Sequence, residues 1–251
     1  MNIRIHMLGT GTAVPIKRAL PCIVLRIDSS LYIFDIGEGC QQRMLKSGLS
    51  PLKVKAVFIT HMHGDHYLGL FGLLQSMNLL GRKDPLYIAA PPELFEILGS
   101  IEKLKLVKLG FNYMKESISE GEIYRDEKLI VEAFRVIHSI PAYGFRILIP
   151  RRNYVIVYTG DTMPMEELID IARNANMLIH ESTFISIDRE EAYRQQHSTA
   201  ADAAHIAKKA SVKYLVLTHI SPRYGSEEVF YDAYRIYSRV TVAEDNMVIY
   251  T

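Results

Sequence analysis

The sequence has little cysteine and no long hydrophobic segment. Its 251 residues include two cysteines, Cys22 and Cys40, and no C-x-x-C pair. A disulfide-stapled secreted domain is therefore not expected, and a reducing, cytoplasmic setting fits best. No segment approaches the ~18 apolar residues that span a membrane, and the N-terminus has no apolar run long enough for a signal peptide. We expect a soluble protein.

The sequence also lacks an excess of charge of either sign. Lys and Arg number 29 and Asp and Glu number 28, which gives a formal net charge of +1. No global positive potential indicates a nucleic-acid partner, although a local basic patch would still serve. Hydrophobic residues make up 49% of the chain, enough for a sizeable core. Because no repeat or Pro/Ser-rich linker divides the chain, we expect a single domain over residues 1–251.

The hydrophobic pattern predicts an α/β protein. It predicts strands at 3–8, 22–27, 31–34, 53–60, 121–134, 145–148, 154–158, 177–179 and 214–217, and helices at 67–80, 91–104, 199–210 and 227–238. A histidine or aspartate follows the C-terminal end of each of four predicted strands: His61, Asp161, His180 and His219. Strand ends are where α/β proteins build their sites, so these residues are candidates for chemistry.

The densest chemical signal is an H-x-H-x-D-H motif at residues 61–66. Random shuffling of this composition would produce it in roughly one sequence in two thousand. Imidazole nitrogens and carboxylate oxygens suit zinc, and catalytic zinc sites leave one position open for water. His61 and His63 can share one side of an extended segment, and Gly64 lets the chain turn before Asp65 and His66. The motif therefore predicts ligands for two metals, with Met62 as an apolar filler and a merely polar loop as the alternative.

Further motifs follow in order along almost the whole chain. They are LGTG at 8–11, FDIGEG at 34–39, HS at 138–139 with YGF at 143–145, YTGDT at 158–162, HEST at 180–183, HSTA at 197–200 and HISPRY at 219–224. Together with the H-x-H-x-D-H motif, this set resembles the metallo-β-lactamase superfamily and, within it, the ribonuclease Z (tRNA 3′-processing endonuclease) family. The resemblance implies an αβ/βα four-layer sandwich of two mixed β-sheets flanked by helices.

The resemblance also implies two zinc ions per chain. It makes His61, His63 and His138 the terminal ligands of one zinc and Asp65, His66 and His219 those of the other, with Asp161 as the bridge. A carboxylate suits a bridge because each of its two oxygens can bind one cation. Many lactamases have a cysteine at the place of Asp161, so a lactamase-type thiolate site is disfavoured here. His138 or His219 taken alone would more often be structural; the collinear motifs favour ligands.

The catalytic chemistry implied is phosphodiester hydrolysis. Two zinc ions about 3.5 to 4 Å apart would hold a hydroxide and stabilise both oxygens of an in-line displacement, and Asp65 would help to position or deprotonate the water. His197 is the candidate general acid, since a histidine near its unperturbed pKa donates a proton at neutral pH, and Glu181 would orient it. The alternative for His197 is a residue beside the helix start at Ser198 and Thr199.

Four further residues have other assignments. Arg223 could clamp a phosphate as a bidentate donor, and a solvated surface arginine is the near-equal alternative. Asp35 is expected to orient a ligand histidine rather than to bind metal itself. His6 and His205 match no motif and are interpreted as structural.

The sequence departs from the family in one region. Typical members carry a long arm, which grips the elbow of the tRNA, between the positions of His138 and Asp161. Here only residues 139–160 separate the two, so the arm is absent. Because phosphate contacts supply most non-specific RNA affinity, binding would depend on local basic clusters, each of which is more often a solvated face. The clusters are Lys17 with Arg18, residues 103–108, Arg151 with Arg152, and Lys208 with Lys209.

The leading interpretation is a zinc-dependent endoribonuclease that removes the 3′ trailer of precursor tRNA and leaves a 3′-hydroxyl and a 5′-phosphate. The resemblance suggests a homodimer, in which one subunit helps to hold the RNA that the other cuts. The second interpretation is a hydrolase of small cyclic or linear phosphodiesters on the same site, which needs no arm. A third is a metal-stabilised or RNA-binding protein without turnover; it is disfavoured because a purely structural metal site should be coordinatively closed.

Overall fold

The computed structural model describes residues 1–106 and 108–251. The strands are β1 (Ile3–Gly9), β2 (Cys22–Ile27), β3 (Ser30–Ile36), β4 (Val54–Phe58), β5 (Leu86–Ala90), β6 (Tyr113–Ser117), β7 (Gly121–Arg125), β8 (Ile130–Val136), β9 (Ala142–Ile149), β10 (Tyr154–Tyr158), β11 (Met177–Glu181), β12 (Tyr214–Thr218), β13 (Val240–Val242) and β14 (Met247–Tyr250). The α-helices are α1 (Cys40–Lys46), α2 (Gly64–Tyr67), α3 (Gly69–Leu79), α4 (Pro92–Lys103), α5 (Glu167–Ile171), α6 (Arg189–Arg194), α7 (Ala200–Lys209) and α8 (Ser226–Tyr234). Within the two described ranges, no helix is long and apolar enough to cross a membrane.

The chain divides into two compact units, each built on one seven-stranded sheet. The first unit comprises Met1–Ala13, Ala19–Ile118 and Glu244–Thr251, and the second comprises Val14–Arg18 and Ser119–Ala243. Each sheet is mixed, with an antiparallel half and a parallel half. The single domain expected over residues 1–251 stays a prediction.

The sheet of the first unit brings the end of β3 beside the end of β4. Its order is β14-β1-β2-β3-β4-β5-β6, antiparallel as far as β3 and parallel from β3 to β6. Phe34 on β3 pairs with Phe58 on β4, so Asp35 and the segment that follows β4 emerge at the same edge. That segment carries the H-x-H-x-D-H motif.

The sheet of the second unit collects three strand ends in the same way. Its order is β13-β12-β11-β10-β9-β8-β7, antiparallel from β7 to β10 and parallel from β10 to β13. The carboxyl ends of β10, β11 and β12 therefore share one edge. Asp161 follows β10, Glu181 ends β11 and His219 follows β12.

Helix α7 covers part of this second sheet with small side chains. Ala200, Ala203, Ala204 and Ala207 are all fully buried and belong to the same apolar cluster as Leu215 of β12. Alanine has the highest helix propensity and lets a helix lie close to a sheet. The helix begins at a capping box formed by Thr199 and Asp202, so the helix start at Ser198 and Thr199 is confirmed.

Three details of the predicted elements are wrong. Residues 121–134 form two strands, because the Asp126 carboxylate accepts hydrogen bonds from the amides of Lys128 and Leu129 and reverses the chain there. His180 does not follow a strand but lies inside β11, fully buried. The pattern also misses α1, α5, α6, β5, β6 and the short strands β13 and β14, whose segments are brief or weakly periodic.

Cys22 and Cys40 form a disulfide with a Cα–Cα distance of 6.0 Å. The bond joins the start of β2 to the start of α1. The sequence predicts no such pairing, because two cysteines 18 positions apart without a framework carry no pairing signal.

Candidate active site

The H-x-H-x-D-H segment of the first unit is extended up to His63 and helical from Gly64. His63 has φ −71° and ψ 139°, and Gly64 begins α2, which carries Asp65 and His66. This is the turn that the glycine predicts. His61 Nε2 lies 3.0 Å from His63 Nδ1, and the His61 and His66 ring centroids are 4.1 Å apart. The segment thus gathers its imidazoles at one place.

Asp35 is fully buried beneath these histidines. Its carboxylate accepts hydrogen bonds from the Thr60 amide at 2.8 Å, from Thr60 Oγ1 at 2.9 Å and from His66 Nδ1 at 2.8 Å. The backbone of Asp35 has φ +54°, a left-handed conformation that aspartate tolerates better than most residues. Because His66 donates from Nδ1, its Nε2 is left as a lone-pair donor. Asp35 is therefore placed to orient a ligand, as the sequence indicates.

Two predicted ligands of the second unit face one carboxylate oxygen of a third. Asp161 Oδ2 lies 4.0 Å from His138 Nε2 and 3.3 Å from His219 Nε2. His138 Nδ1 lies 3.1 Å from the Gln196 carbonyl, which can only accept, so in the neutral ring Nε2 carries the lone pair. A lone pair directed towards a carboxylate is repelled unless a cation lies between them. This donor set fits a divalent metal, with Asp161 able to bridge.

His197 is held by the buried carboxylate of Glu181. His197 Nδ1 lies 2.7 Å from Glu181 Oε1, and Glu181 also accepts from the amides of Thr162 and Thr183 and from Thr183 Oγ1. Burial raises the pKa of the Glu181 carboxyl, but the charge and hydrogen bond of His197 lower it, and the resulting pKa is below its ordinary value. Glu181 is thus a carboxylate that accepts from Nδ1 of His197, and Nε2 is the ring's other proton-exchange position.

The ring of His197 lies among the predicted ligands of this unit. Its centroid is 5.0 Å from that of His138 and 5.6 Å from that of His219. Asp161, His197 and His219 offer ligand atoms within 4.8 Å of one another. Distance alone would therefore allow His197 as a ligand as well as an acid, and a variant must separate the two roles.

Arg223 and His197 both lie near the ring of Phe184. Its guanidinium is 5.7 Å from the centroid of Phe184, and the Phe184 ring is 6.3 Å from that of His197. The next residue, Tyr224, hydrogen-bonds to Asp188, and burial together with that carboxylate raises the pKa of Tyr224 to about 12. Arg223 is exposed, so it can reach a phosphate from a fixed position.

Sequence reasoning misses three residues that contact the predicted ones: Thr60, Thr183 and Gln196. Thr60 Oγ1 lies 2.9 Å from His61 Nδ1, and Thr183 Oγ1 lies 2.8 Å from His219 Nδ1. The signal for the threonines is their position, since one precedes the metal motif and the other closes HEST. Nothing in the sequence indicates that a backbone carbonyl at Gln196 would meet His138.

Residues 139–160, all of which the structure describes, form a hairpin of β9 and β10 closed by a 3₁₀ turn at Pro150–Arg152. No arm fits in this segment, as the sequence predicts. The turn exposes Arg151 and Arg152. Elsewhere, the Arg18 guanidinium donates hydrogen bonds to the Ala243 carbonyl and to Ser226 Oγ. Lys209 Nζ lies 3.6 Å from Glu166 Oε1.

The remaining predicted residues have simple placements. His6 is buried in β1, and His205 is exposed on α7. Met62 is partly buried against the core of the first unit, as an apolar filler should be. In the basic cluster at 103–108, Val107 lies outside the described residues.

Comparisons with known proteins agree with this chemistry. Residues 3–238 match the family model described as "Anti-Pycsar protein Apyc1". The chain is 36% identical to ribonuclease Z from Sulfurisphaera tokodaii, over 96% of this chain and 96% of that protein. Its fold is similar to that of the short form of human tRNase Z, ELAC1, with a TM-score of 0.84 and 33% identity over 98% of each chain. It is also similar to the metallo-β-lactamase fold protein YhfI from Bacillus subtilis, with a TM-score of 0.85 and 19% identity over 100% of each chain.

The likeness to YhfI confirms the predicted fold class, with its two mixed sheets and accompanying helices. The alignment with the Sulfurisphaera protein runs over 289 positions, more than the 251 residues of this chain. That relative therefore contains stretches that have no counterpart here.

Proposed function

Because the chain belongs to the ribonuclease Z family and, over residues 3–238, to the family described as anti-Pycsar protein Apyc1, we propose that it cleaves the 3′ trailer from precursor tRNA. Family membership makes the chain a metal-dependent hydrolase with an RNA substrate. The cut would leave a 3′-hydroxyl and a 5′-phosphate.

The observation that carries the proposal is the grouping in the second unit of metal-type donors with a separate acid–base pair. Two imidazoles face Asp161 Oδ2, while His197 lies beside them with its Nδ1 on Glu181. A structural metal site needs only the first feature. Hydrolysis of a phosphodiester also needs a proton for the leaving oxygen, which the second feature can provide.

We propose two zinc ions as the metals, held by His61, His63, His138, Asp65, His66 and His219, with Asp161 as the shared ligand. The imidazole and carboxylate donors found in each unit support this choice. Bound divalent ions would polarise the phosphodiester and lower the pKa of the attacking water. Asp65 would help to position that water.

His197 would protonate the leaving oxygen from Nε2. Glu181 would keep the Nδ1 proton in place and favour the charged imidazolium before transfer. Arg223, fixed on Phe184, would hold a phosphate oxygen of the substrate by bidentate hydrogen bonds.

The absence of the arm between β9 and β10 favours one second candidate, hydrolysis of a small cyclic or linear phosphodiester. A small ester has no RNA body to be bound, so its hydrolysis needs no contact away from the cleaved bond. The exposed Arg151 and Arg152 on the β9–β10 turn support the RNA proposal instead, since they would place positive charge where the arm is lacking.

A parallel assay separates these two functions. Purified protein is given a precursor tRNA transcript and bis(p-nitrophenyl) phosphate, each with and without a chelator. We expect a metal-dependent cut at the 3′ end of the tRNA body, mapped by primer extension and end-group analysis. Turnover of the small ester with no site-specific cut of the tRNA would overturn the proposal in favour of the second candidate.

We further propose a homodimer in the cytoplasm, where RNA bound by one subunit is cut by the other. The family resemblance supports this arrangement. Light scattering at micromolar concentration should give about twice the mass of one chain, and a monomer would contradict it.

A further inference from the structure

We propose that Thr183 is a positioning residue that joins His219 to the same carboxylate that holds His197. Thr183 Oγ1 lies 2.7 Å from Glu181 Oε2 and 2.8 Å from His219 Nδ1. The other oxygen of this carboxylate, Oε1, is 2.7 Å from His197 Nδ1. One buried carboxylate thus holds two histidines, one directly and one through a hydroxyl.

Counting protons gives the direction of each hydrogen bond. Both oxygens of Glu181 already act as acceptors, towards the amides of Thr162 and Thr183 and towards His197 Nδ1, so the single hydroxyl proton of Thr183 is donated to it. Thr183 Oγ1 is then an acceptor towards His219, and His219 must carry its proton on Nδ1. The Nε2 lone pair of His219 is thereby directed to Asp161 Oδ2, which is 3.3 Å away.

The first unit contains an independent example of the same arrangement. Thr60 Oγ1 lies 2.9 Å from Asp35 Oδ2 and 2.9 Å from His61 Nδ1, while His66 Nδ1 lies 2.8 Å from Asp35 directly. The two threonines differ in position. Thr60 follows β4, the strand beside the one that carries Asp35, whereas Thr183 lies two residues after Glu181. The shared feature is therefore chemical. In each unit a carboxylate and a threonine hydroxyl contact the Nδ1 atoms of two imidazoles, and Nε2 is the ring nitrogen on the far side from these contacts.

The buried position makes the hydroxyl hard to replace. Thr183 is 6% exposed and Glu181 is 1% exposed, so water has poor access to substitute for a lost hydroxyl. Without it, His219 would be free to place its proton on Nε2, where it could not bind a metal, and Glu181 would lose one donor. Outer hydrogen-bond partners of metal-ligating histidines typically contribute 10- to 100-fold in metal affinity or activity.

The test removes the hydroxyl of residue 183 while keeping the shape of its side chain. Thr183→Val removes the hydroxyl, Thr183→Ser keeps it, and Thr241→Val on β13 is the matched control for the same exchange elsewhere in the unit. In metal-free protein, long-range ¹H–¹⁵N spectra report which ring nitrogen of His219 is protonated. We expect a protonated Nδ1 in the wild type, Thr183→Ser and Thr241→Val. In Thr183→Val we expect that proton to be lost, with Nε2–H facing Asp161 Oδ2.

The second readout is the zinc affinity, measured by competition with a chromophoric chelator. The role of His219 as a ligand rests on the proposed function, whereas its protonation state does not. We expect Thr183→Val to weaken zinc binding by about 10- to 100-fold and Thr183→Ser to stay within about threefold of the wild type. If Thr183→Val is not folded by circular dichroism, Thr183→Ala takes its place.

The outcomes distinguish the positioning role of Thr183 from the proposed role of His219 as a metal ligand. Unchanged Nδ1 protonation of His219 in the hydroxyl-free variant would overturn the positioning role of Thr183. Altered protonation with unchanged zinc affinity would leave the hydrogen-bond chain in place but contradict His219 as a metal ligand, and with it the proposed function.

Discussion

At the scale of single residues, the chemistry of the candidate residues in each unit depends on which nitrogen of each imidazole carries the proton. His66, His138 and His197 each donate from Nδ1 to an oxygen that can only accept: Asp35, the Gln196 carbonyl and Glu181. The partner of Nδ1 decides the tautomer and leaves Nε2 for metal or substrate. Histidines with the same motif position but without such partners would not be equivalent.

His197→Ala should retain the metals and lose acid catalysis. We expect cleavage of precursor tRNA to slow by ~10²- to 10⁴-fold, the usual contribution of a positioned general acid. The defect should shrink for bis(p-nitrophenyl) phosphate, because p-nitrophenolate leaves without a proton. Single-turnover rates on both substrates and metal analysis measure this, with exposed His205→Ala as the control. Loss of zinc, or equal slowing of both substrates, would assign His197 to the ligands or to the structure.

His6 and His180 should make the fold sensitive to acid. Burial lowers the pKa of His180, and burial with Arg26 and Arg4 lowers that of His6, from the ordinary 6.5. The unfolded chain then binds protons below about pH 6.5 that the folded chain does not, so stability falls as pH falls. We expect the loss of unfolding free energy from about pH 7.5 to 5.5 to be roughly 1–2 kcal/mol smaller in His180→Gln than in the wild type. Urea titrations of metal-free protein check this, and equal losses would contradict it.

At the scale of elements, strand ends and turns position the site. The parallel pairs β3–β4 and β10–β11–β12 bring together residues that follow or end different strands. The antiparallel hairpin of β9 and β10 instead keeps the connection between His138 and Asp161 short, because a 3₁₀ turn links its two strands. A longer connection here would change the surface beside β9 and β10 without moving His138 or Asp161 along the sequence motifs.

The Cys22–Cys40 disulfide should stabilise the segment that contains Asp35. It joins β2 to α1 across a sequence separation of 18, and closing a loop of this size removes entropy from the unfolded chain worth about 3 kcal/mol. Reduction should therefore lower the free energy of unfolding by about that amount. Urea titrations with and without dithiothreitol measure it, and the reductant should have no effect on Cys40→Ala. Equal stability of the oxidised and reduced wild type would contradict the prediction.

At the scale of the whole molecule, metal content is the decisive quantity. We expect about two zinc ions per chain, because seven ligand-type side chains follow or adjoin strand ends in the two units. Asp65→Ala should lower metal occupancy and turnover together, in contrast to His197→Ala. Plasma emission spectrometry on dialysed, active protein gives the stoichiometry. Active protein without metal would exclude this chemistry.

The sequence by itself determined the donor types, their order and the fold class. H-x-H-x-D-H, Asp161 and the later histidines are recognisable because metal chemistry restricts residue type, and strand ends are visible as apolar runs that stop at polar residues. The lack of an arm was equally predictable, since residues 139–160 are too few for one. These features are local, so a linear reading captures them.

Only the tertiary structure decided which groups hold those donors in place. Asp35 and His66 are 31 positions apart, and Thr183 and His219 are 36 apart; no local spacing rule connects them. Their contacts arise because parallel strands align carboxyl ends that are distant in the chain. The Cys22–Cys40 pair arises instead from the antiparallel pairing of β2 with β3, which sets Cys22 opposite Ile36 shortly before α1. A hydrogen bond requires sub-ångström placement of both partners, and that precision comes from packing rather than from residue type.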